Sequence, residues 1–334
     1  MSRFVLLATL AAWLLIGCSK KAIYTPERID DRLSYSDRTP LPMQESWLGS
    51  GATLEDGSIF LPAAGRESFG LGAEFRLVGV NGPWRLMADR SGTLKAIDTQ
   101  SGARHKLTLS QPVLSAATDG SVVATISRDN SHRLHDLHSG EVVMLVRERP
   151  TMTITTQIAP PLIGADQVIF GTLDGKLLVV DRDRNRVVLE RVVGTDSHFG
   201  NVRFMVAHDH RIIAATAGRI ISLGLDGTTE TLSVNVRTLS LLPSGLYLFS
   251  TEGHIKRLSS RLETLDEHRI PFARILAAHE QSDRLYLMER SGYLITLRTD
   301  LSDQRIYELP DTLSAPLLIS PEYLYHHRKG IRWP

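Results

Sequence analysis

Cysteine is nearly absent: Cys18 is the one thiol in 334 residues. A disulfide framework, a cysteine-ligated zinc site and a thiol nucleophile elsewhere in the chain are excluded together. A charge surplus is also missing, with 38 basic residues against 37 acidic ones. Nucleic-acid binding, which leaves a basic footprint, is therefore not expected. The apolar run Phe4–Ile16 is thirteen residues long, short of the roughly 20 that a membrane-spanning helix needs. Beyond Cys18 no stretch sustains a 3.6-residue apolar period for more than two turns, which removes a helical solenoid. Neither a Gly-x-Ser-x-Gly elbow nor a Gly-x4-Gly-Lys-Ser/Thr phosphate loop occurs. Disorder is excluded in turn, because 42% of the residues are apolar.

What is present begins at the N-terminus. Arg3, the apolar run and then Leu15-Ile16-Gly17-Cys18 resemble the lipobox of bacterial lipoproteins. The resemblance implies cleavage between Gly17 and Cys18, a diacylglycerol thioether on Cys18, and acylation of the new N-terminus by a chain such as palmitate. A small residue at Gly17 lets a peptidase approach the backbone. Several acyl chains hold a protein far more firmly than one, at roughly 0.8 kcal/mol per buried CH₂. Ser19 is not the aspartate that retains such proteins at the inner membrane, so the expected location is the outer membrane, facing the periplasm. Residues 1–17 are read as a signal peptide and 18–50 as a flexible tether, polar and broken by Pro26, Pro40 and Pro42. Trp47 is large and apolar for a free linker, so part of the tether is expected to fold back.

From residue 51 to 334 a strand–turn–strand unit recurs. The clearest copy is Gln167-Val-Ile-Phe-Gly-Thr-Leu-Asp-Gly175-Lys-Leu-Leu-Val-Val-Asp181. The first apolar residues after each turn are Leu94, Leu134, Leu177, Ile220, Ile255, Leu294 and Ile331, spaced 35 to 43 residues apart. About 40 residues is the length of a four-stranded propeller blade. Pro112, Pro161 and Pro316 open strands where a missing N–H breaks no ladder. Strands such as Lys176-Leu-Leu-Val-Val180 are apolar on both faces, as a blade sandwiched between two others requires. The expectation is an all-β fold, a single propeller of seven four-stranded blades. The last copy stops after its third strand, and Gly57–Leu61 is expected to supply the fourth and close the ring. The alternative makes that stretch part of an eighth blade, since Ile59 lies 35 residues before Leu94.

The unit in Phe170–Asp181 resembles the pyrroloquinoline-quinone-type propeller repeat. Joined to a lipobox, it resembles the propeller lipoproteins of the outer-membrane β-barrel assembly machinery. That resemblance implies a non-enzymatic scaffold, monomeric within a complex, whose partners are envelope proteins. Quinone dehydrogenases share the repeat but carry tryptophan docking motifs and commonly a vicinal disulfide. Here Trp47, Trp84 and Trp333 occupy no equivalent positions, so no cofactor is expected.

Three histidine groups are candidate metal ligands. In a strand His132 and His138 face one way and His135 the other, so they cannot meet one ion. His208-Asp209-His210 and His326-His327 bring no third or fourth ligand from their own element. Asp181-Arg-Asp-Arg-Asn185 lacks the oxygen-ligand spacing of a calcium loop. No catalytic or metal residue is assigned. Two other functions fit the same features. One is a carbohydrate- or peptidoglycan-binding propeller, with lyase or hydrolase chemistry assembled at the channel mouth. The other is an accessory lipoprotein of a secretion system. Arginine makes up all but seven of the basic residues, a composition that suits interfaces as well as codon bias.

Overall fold

A computed structural model describes residues 23–35, 41–47, 51–151, 155–194, 200–326 and 328–334. Among them every regular element is a β-strand, and the strands form eight sheets taken in turn along the chain. The sheets span 43–67, 76–108, 113–147, 162–192, 204–233, 236–269, 275–308 and 317–332. Each is an antiparallel meander, so the protein is an eight-bladed propeller of four-stranded blades, with three strands in the eighth.

The expectation of seven blades is thereby corrected. Ile59–Leu61 does not complete the last blade; it pairs with Gly51–Leu54 and Gly65–Glu67 in a blade of its own. The opening strand of that blade, Met43–Trp47, lies inside the stretch expected to be tether. Its short strands and the polar Gln44, Glu45 and Ser46 hide the strand signal. Burial of Met43 and Leu54 against Leu318 and Tyr325 of the eighth blade supplies what local propensity does not. Tyr24 and Leu33 also pack on the propeller body. Cys18, Gly17 and the segment read as a signal peptide lie outside the described residues.

Alternation along each inner strand divides its side chains between two neighbours. Leu246 and Leu248 face the fifth blade, whereas Tyr247 and Phe249 face the seventh. Val123 likewise faces the second blade and Ala124 and Ile126 the fourth. Each fully buried Leu, Ile, Val or Phe side chain among these contributes about 2 kcal/mol. Such clusters separate every consecutive pair of blades, and another joins the first blade to the eighth.

Polar staples add to this packing. Asn130, fully buried with φ +60°, sits in the turn between the second and third strands of the third blade. Its amide donates to Asp174 Oδ1 at 2.9 Å and to the Arg149 carbonyl at 3.1 Å, and its Oδ1 accepts from the Leu173 N–H at 2.9 Å. Asn130→Ala strands the buried Leu173 N–H and puts a Cβ-bearing residue without side-chain compensation in the left-handed region. Chemical denaturation should show a loss of about 2–3 kcal/mol with an unchanged m-value.

The N-terminal segment runs as a strap along the seventh blade. Asp31–Arg32 adds a fifth, parallel strand beside Arg305–Glu308. Asp30 N–H donates to the Ile306 carbonyl at 2.8 Å and Leu33 N–H to that of Glu308 at 2.9 Å. Tyr24 is buried among Ile270, Ala273, Ile295 and their neighbours, edge-on to Tyr293 at 5.6 Å.

Candidate functional site

The first strands of seven blades, with residues 155–160 entering the fourth, line one central cavity of about 990 Å³. Its upper mouth faces the turns between second and third strands and the connections between blades. Its lower mouth faces the hairpins. A one-residue bulge recurs near the start of the first strand in five blades. In the sixth blade the residue so displaced is Arg237, and bulges characteristically re-aim a side chain.

The charges lining the cavity are mostly arginine: Arg76, Arg203 and Arg237. Glu45, the one carboxylate in the lining, lies 3.6 Å from Arg76. Arg203 donates to the Val236 carbonyl at 3.1 Å. Burial, together with Arg237, weakens its hold on the proton. Burial also lowers the pKa of Arg237, and Arg290 and Arg274 add repulsion from above. Four arginines of the fifth, sixth and seventh blades therefore stand close enough to repel one another. Among the described residues Arg237, Arg274 and Arg290 have no ion pair. Beside them Phe272 is 57% exposed in the connection between the sixth and seventh blades, with φ +67°. Lower in the cavity His279 stacks on Trp333 at 5.7 Å.

A second feature lies on the outer rim. The outermost strands Val142–Arg147 and Arg186–Val192 belong to the third and fourth blades. They expose Val142, Val143, Leu145, Val188 and Val192 to solvent. The seventh blade's outer edge is instead covered by Asp31–Arg32.

The structure separates the histidines considered from sequence. His132 is fully buried and edge-on to Phe170 at 5.4 Å, and His135 is buried on the other face of the same strand. His138 lies in the following turn, against His105 at 5.5 Å. Asp209 and His210 form a tight turn with φ +47° and +58°. His326 Nε2 accepts from the Ser314 N–H at 3.1 Å, whereas His327 is outside the described residues. The Asp181–Asn185 turn is closed by the Arg184 N–H on Asp181 Oδ1 at 2.9 Å. None of these groups converges on a common point, and among the described residues no cluster of three or more ligating side chains occurs.

Carboxylates on the lower face serve as turn caps. Asp119 accepts from the Ser121 and Val122 N–H groups and pairs with Arg182 of the next blade at 2.7 Å. Burial opposes its ionisation, but these bonds outweigh it and bring the pKa down to about 2. The arginine group escapes motif-based reading because its members sit some 16 to 37 residues apart. Aligning the blades would have exposed it, since Arg76, Arg203, Arg237 and Arg274 all stand at or beside the start of a first strand.

No family model matches the chain. It is 28% identical over 200 residues to the plasminogen-binding protein PgbB of Helicobacter pylori strain J99, covering 59% of this chain and 37% of that one. PgbB of strain 26695 gives 28% over 202 residues, 59% and 36%. The matched region thus spans a little over a third of the length of these curated relatives. Among solved structures, BamB from Moraxella catarrhalis superposes with a TM-score of 0.66 at 19% identity, covering 90% of this chain and 98% of that one. The C-terminal WD40 domain of Sif2 gives 0.64 at 11%, covering 91% and 99%. The computationally designed protein Ika8 gives 0.62 at 11%, covering 91% and 98%. At these identities the likeness shows the fold.

Proposed function

We propose that this propeller is a non-enzymatic interaction scaffold, anchored to the outer membrane through Cys18 and facing the periplasm, where it supports assembly of barrel proteins. The observation that carries the reading is the rim of the third and fourth blades. There, apolar side chains stand outward on strands whose outer edges pair with no other strand among the described residues. Exposed apolar patches and open strand edges mark surfaces that other chains cover. The propeller likeness to BamB and the similarity to a plasminogen-binding protein both support protein binding as the role. Ring closure through the Leu41, Met43 and Leu54 contact with Leu318 and Tyr325 belongs to the same proposal, because a closed ring holds the rim rigid.

The test pairs anchor and rim. Cys18→Ala should move the protein from the membrane pellet to the soluble fraction, and intact mass should show loss of the acyl groups. Val143→Glu with Val188→Glu replaces exposed side chains and should shift the melting temperature by under about 3 °C. Cross-linking to the barrel-assembly protein in intact cells should nevertheless fall at least fivefold. Undiminished cross-linking in the double variant would remove the rim from the account.

A further inference from the structure

The place where the chain leaves the propeller carries an orientation. Tyr24 is buried among Ile270, Ala273 and Ile275, so the backbone is pinned beside the connection that bears Phe272. Ile23, immediately before it, is 71% exposed. Five residues lie between Cys18 and Tyr24, a span of at most about 22 Å when fully extended. An anchor at Cys18 would therefore hold this corner, and not an arbitrary face, next to the bilayer.

The chemistry of the corner suits that neighbour. Phe272 is an aromatic residue with φ +67°, a conformation that costs a bulky side chain energy. Leu262 and Leu301 adopt similar values, but both are buried, so packing compensates them. Phe272 is exposed, and burial within the protein offsets nothing. Arg274 follows two residues on, and the Arg290 N–H donates to its carbonyl at 3.0 Å; neither side chain has an ion pair among the described residues. Glu252 is exposed on the same face but is held by Asn235 at 2.7 Å and Thr251 at 2.9 Å. Aromatic rings favour the headgroup level of a bilayer, and arginine forks match phosphate oxygens.

We infer that the upper corner formed by Ile23, Phe272, Arg274 and Arg290 rests on the membrane surface, with Phe272 at headgroup depth and the arginines on lipid phosphates. The inference rests on the proposed anchor at Cys18. In an eight-bladed ring the third blade lies opposite the seventh, so this posture holds the apolar rim away from the bilayer.

Because Cys18 is the one cysteine, a thioether there leaves an introduced cysteine as the sole free thiol. Phe272→Cys in the lipidated chain, labelled with an environment-sensitive fluorophore, is reconstituted into vesicles of phosphatidylethanolamine and phosphatidylglycerol. Asp183→Cys, exposed in a lower-face turn of the fourth blade, is the control. Ile23→Cys gives a second reporter should the Phe272 turn reject the label. A headgroup-linked spin label should quench position 272, or 23, at least threefold more than position 183. Arg274→Gln with Arg290→Gln should halve that quenching at low salt, and unchanged quenching would overturn the role given to the arginines. Equal quenching at the upper and lower sites, with acyl mass confirmed on Cys18, would overturn the orientation while leaving the anchor standing. Absence of acyl mass would overturn both.

Discussion

Gly253→Ala is expected to cost about 3 kcal/mol or more, whereas Gly218→Ala, at the matching turn of the preceding blade, should be within about 0.5 kcal/mol of neutral. The two glycines occupy the same place in the repeat, between second and third strands. Gly253 has φ +84°, and a Cβ there would fall onto the Ile270 carbonyl and lie 3.3 Å from the Phe272 nitrogen. Its own carbonyl accepts from the Ile270 N–H at 2.9 Å, tying the turn to the end of the fourth strand. An added methyl therefore meets backbone that a hydrogen bond holds close, and neither side can yield cheaply. Gly218 has no positive φ and nothing within 4 Å of its Cβ position. There, alanine mainly removes conformational freedom from the unfolded chain. Paired urea titrations check the contrast. Equal effects would mean that the turn contact does not hold the blade.

Acidification supplies the second large effect. Burial drives the His132 pKa from 6.5 down to about 4, against the opposing pull of the Gly171 backbone and of Asp174 and Asp129. The unfolded chain binds this proton below pH 6.5 and the folded chain only below about 4. Stability from keeping the ring neutral is thus complete above pH 6.5 and is lost as the pH falls through 4. The total loss is about 3 kcal/mol. His135 and His279, both lowered by burial, act with the same sign. Glu289 acts oppositely: burial raises its pKa, so its contribution declines as pH rises through that value. Asp119 enters only below its unfolded pKa of 3.8. His132→Leu should flatten the dependence of the urea midpoint on pH between 4 and 6.5, removing most of the slope. A slope equal to that of the parent chain would assign acid sensitivity elsewhere.

The fold was legible because its physics repeats. Each blade needs strands apolar on both faces, and Val168–Phe170 with Leu177–Val180 shows that plainly. Proline placement was legible too, since Pro112, Pro161 and Pro316 each stand just before a first strand. The blade count was not. Met43–Trp47 alternates weakly, and its burial depends on Leu318 and Tyr325, more than 270 residues away. The strap was hidden for a similar reason: Asp31–Arg32 joins the seventh blade through backbone pairing and the Arg32–Glu308 ion pair at 2.7 Å, partners more than 270 residues apart in sequence. The upper corner eluded a motif search because Arg237, Arg274 and Arg290 become neighbours only once three segments are folded together. The bulge that displaces Arg237 is likewise set by sheet geometry and has no residue code.

The most direct test of the scaffold reading is the size and composition of the native assembly in mild detergent. Membranes carrying the full-length chain at its natural level would be solubilised, separated by native size, and quantified by mass spectrometry. The account predicts that most of the chain migrates with the barrel-assembly protein in near-equal amounts, and that Cys18→Ala lowers that fraction severalfold. Migration of the wild-type chain as a lone species of the mass of a single mature chain, with no envelope protein beside it, would contradict it.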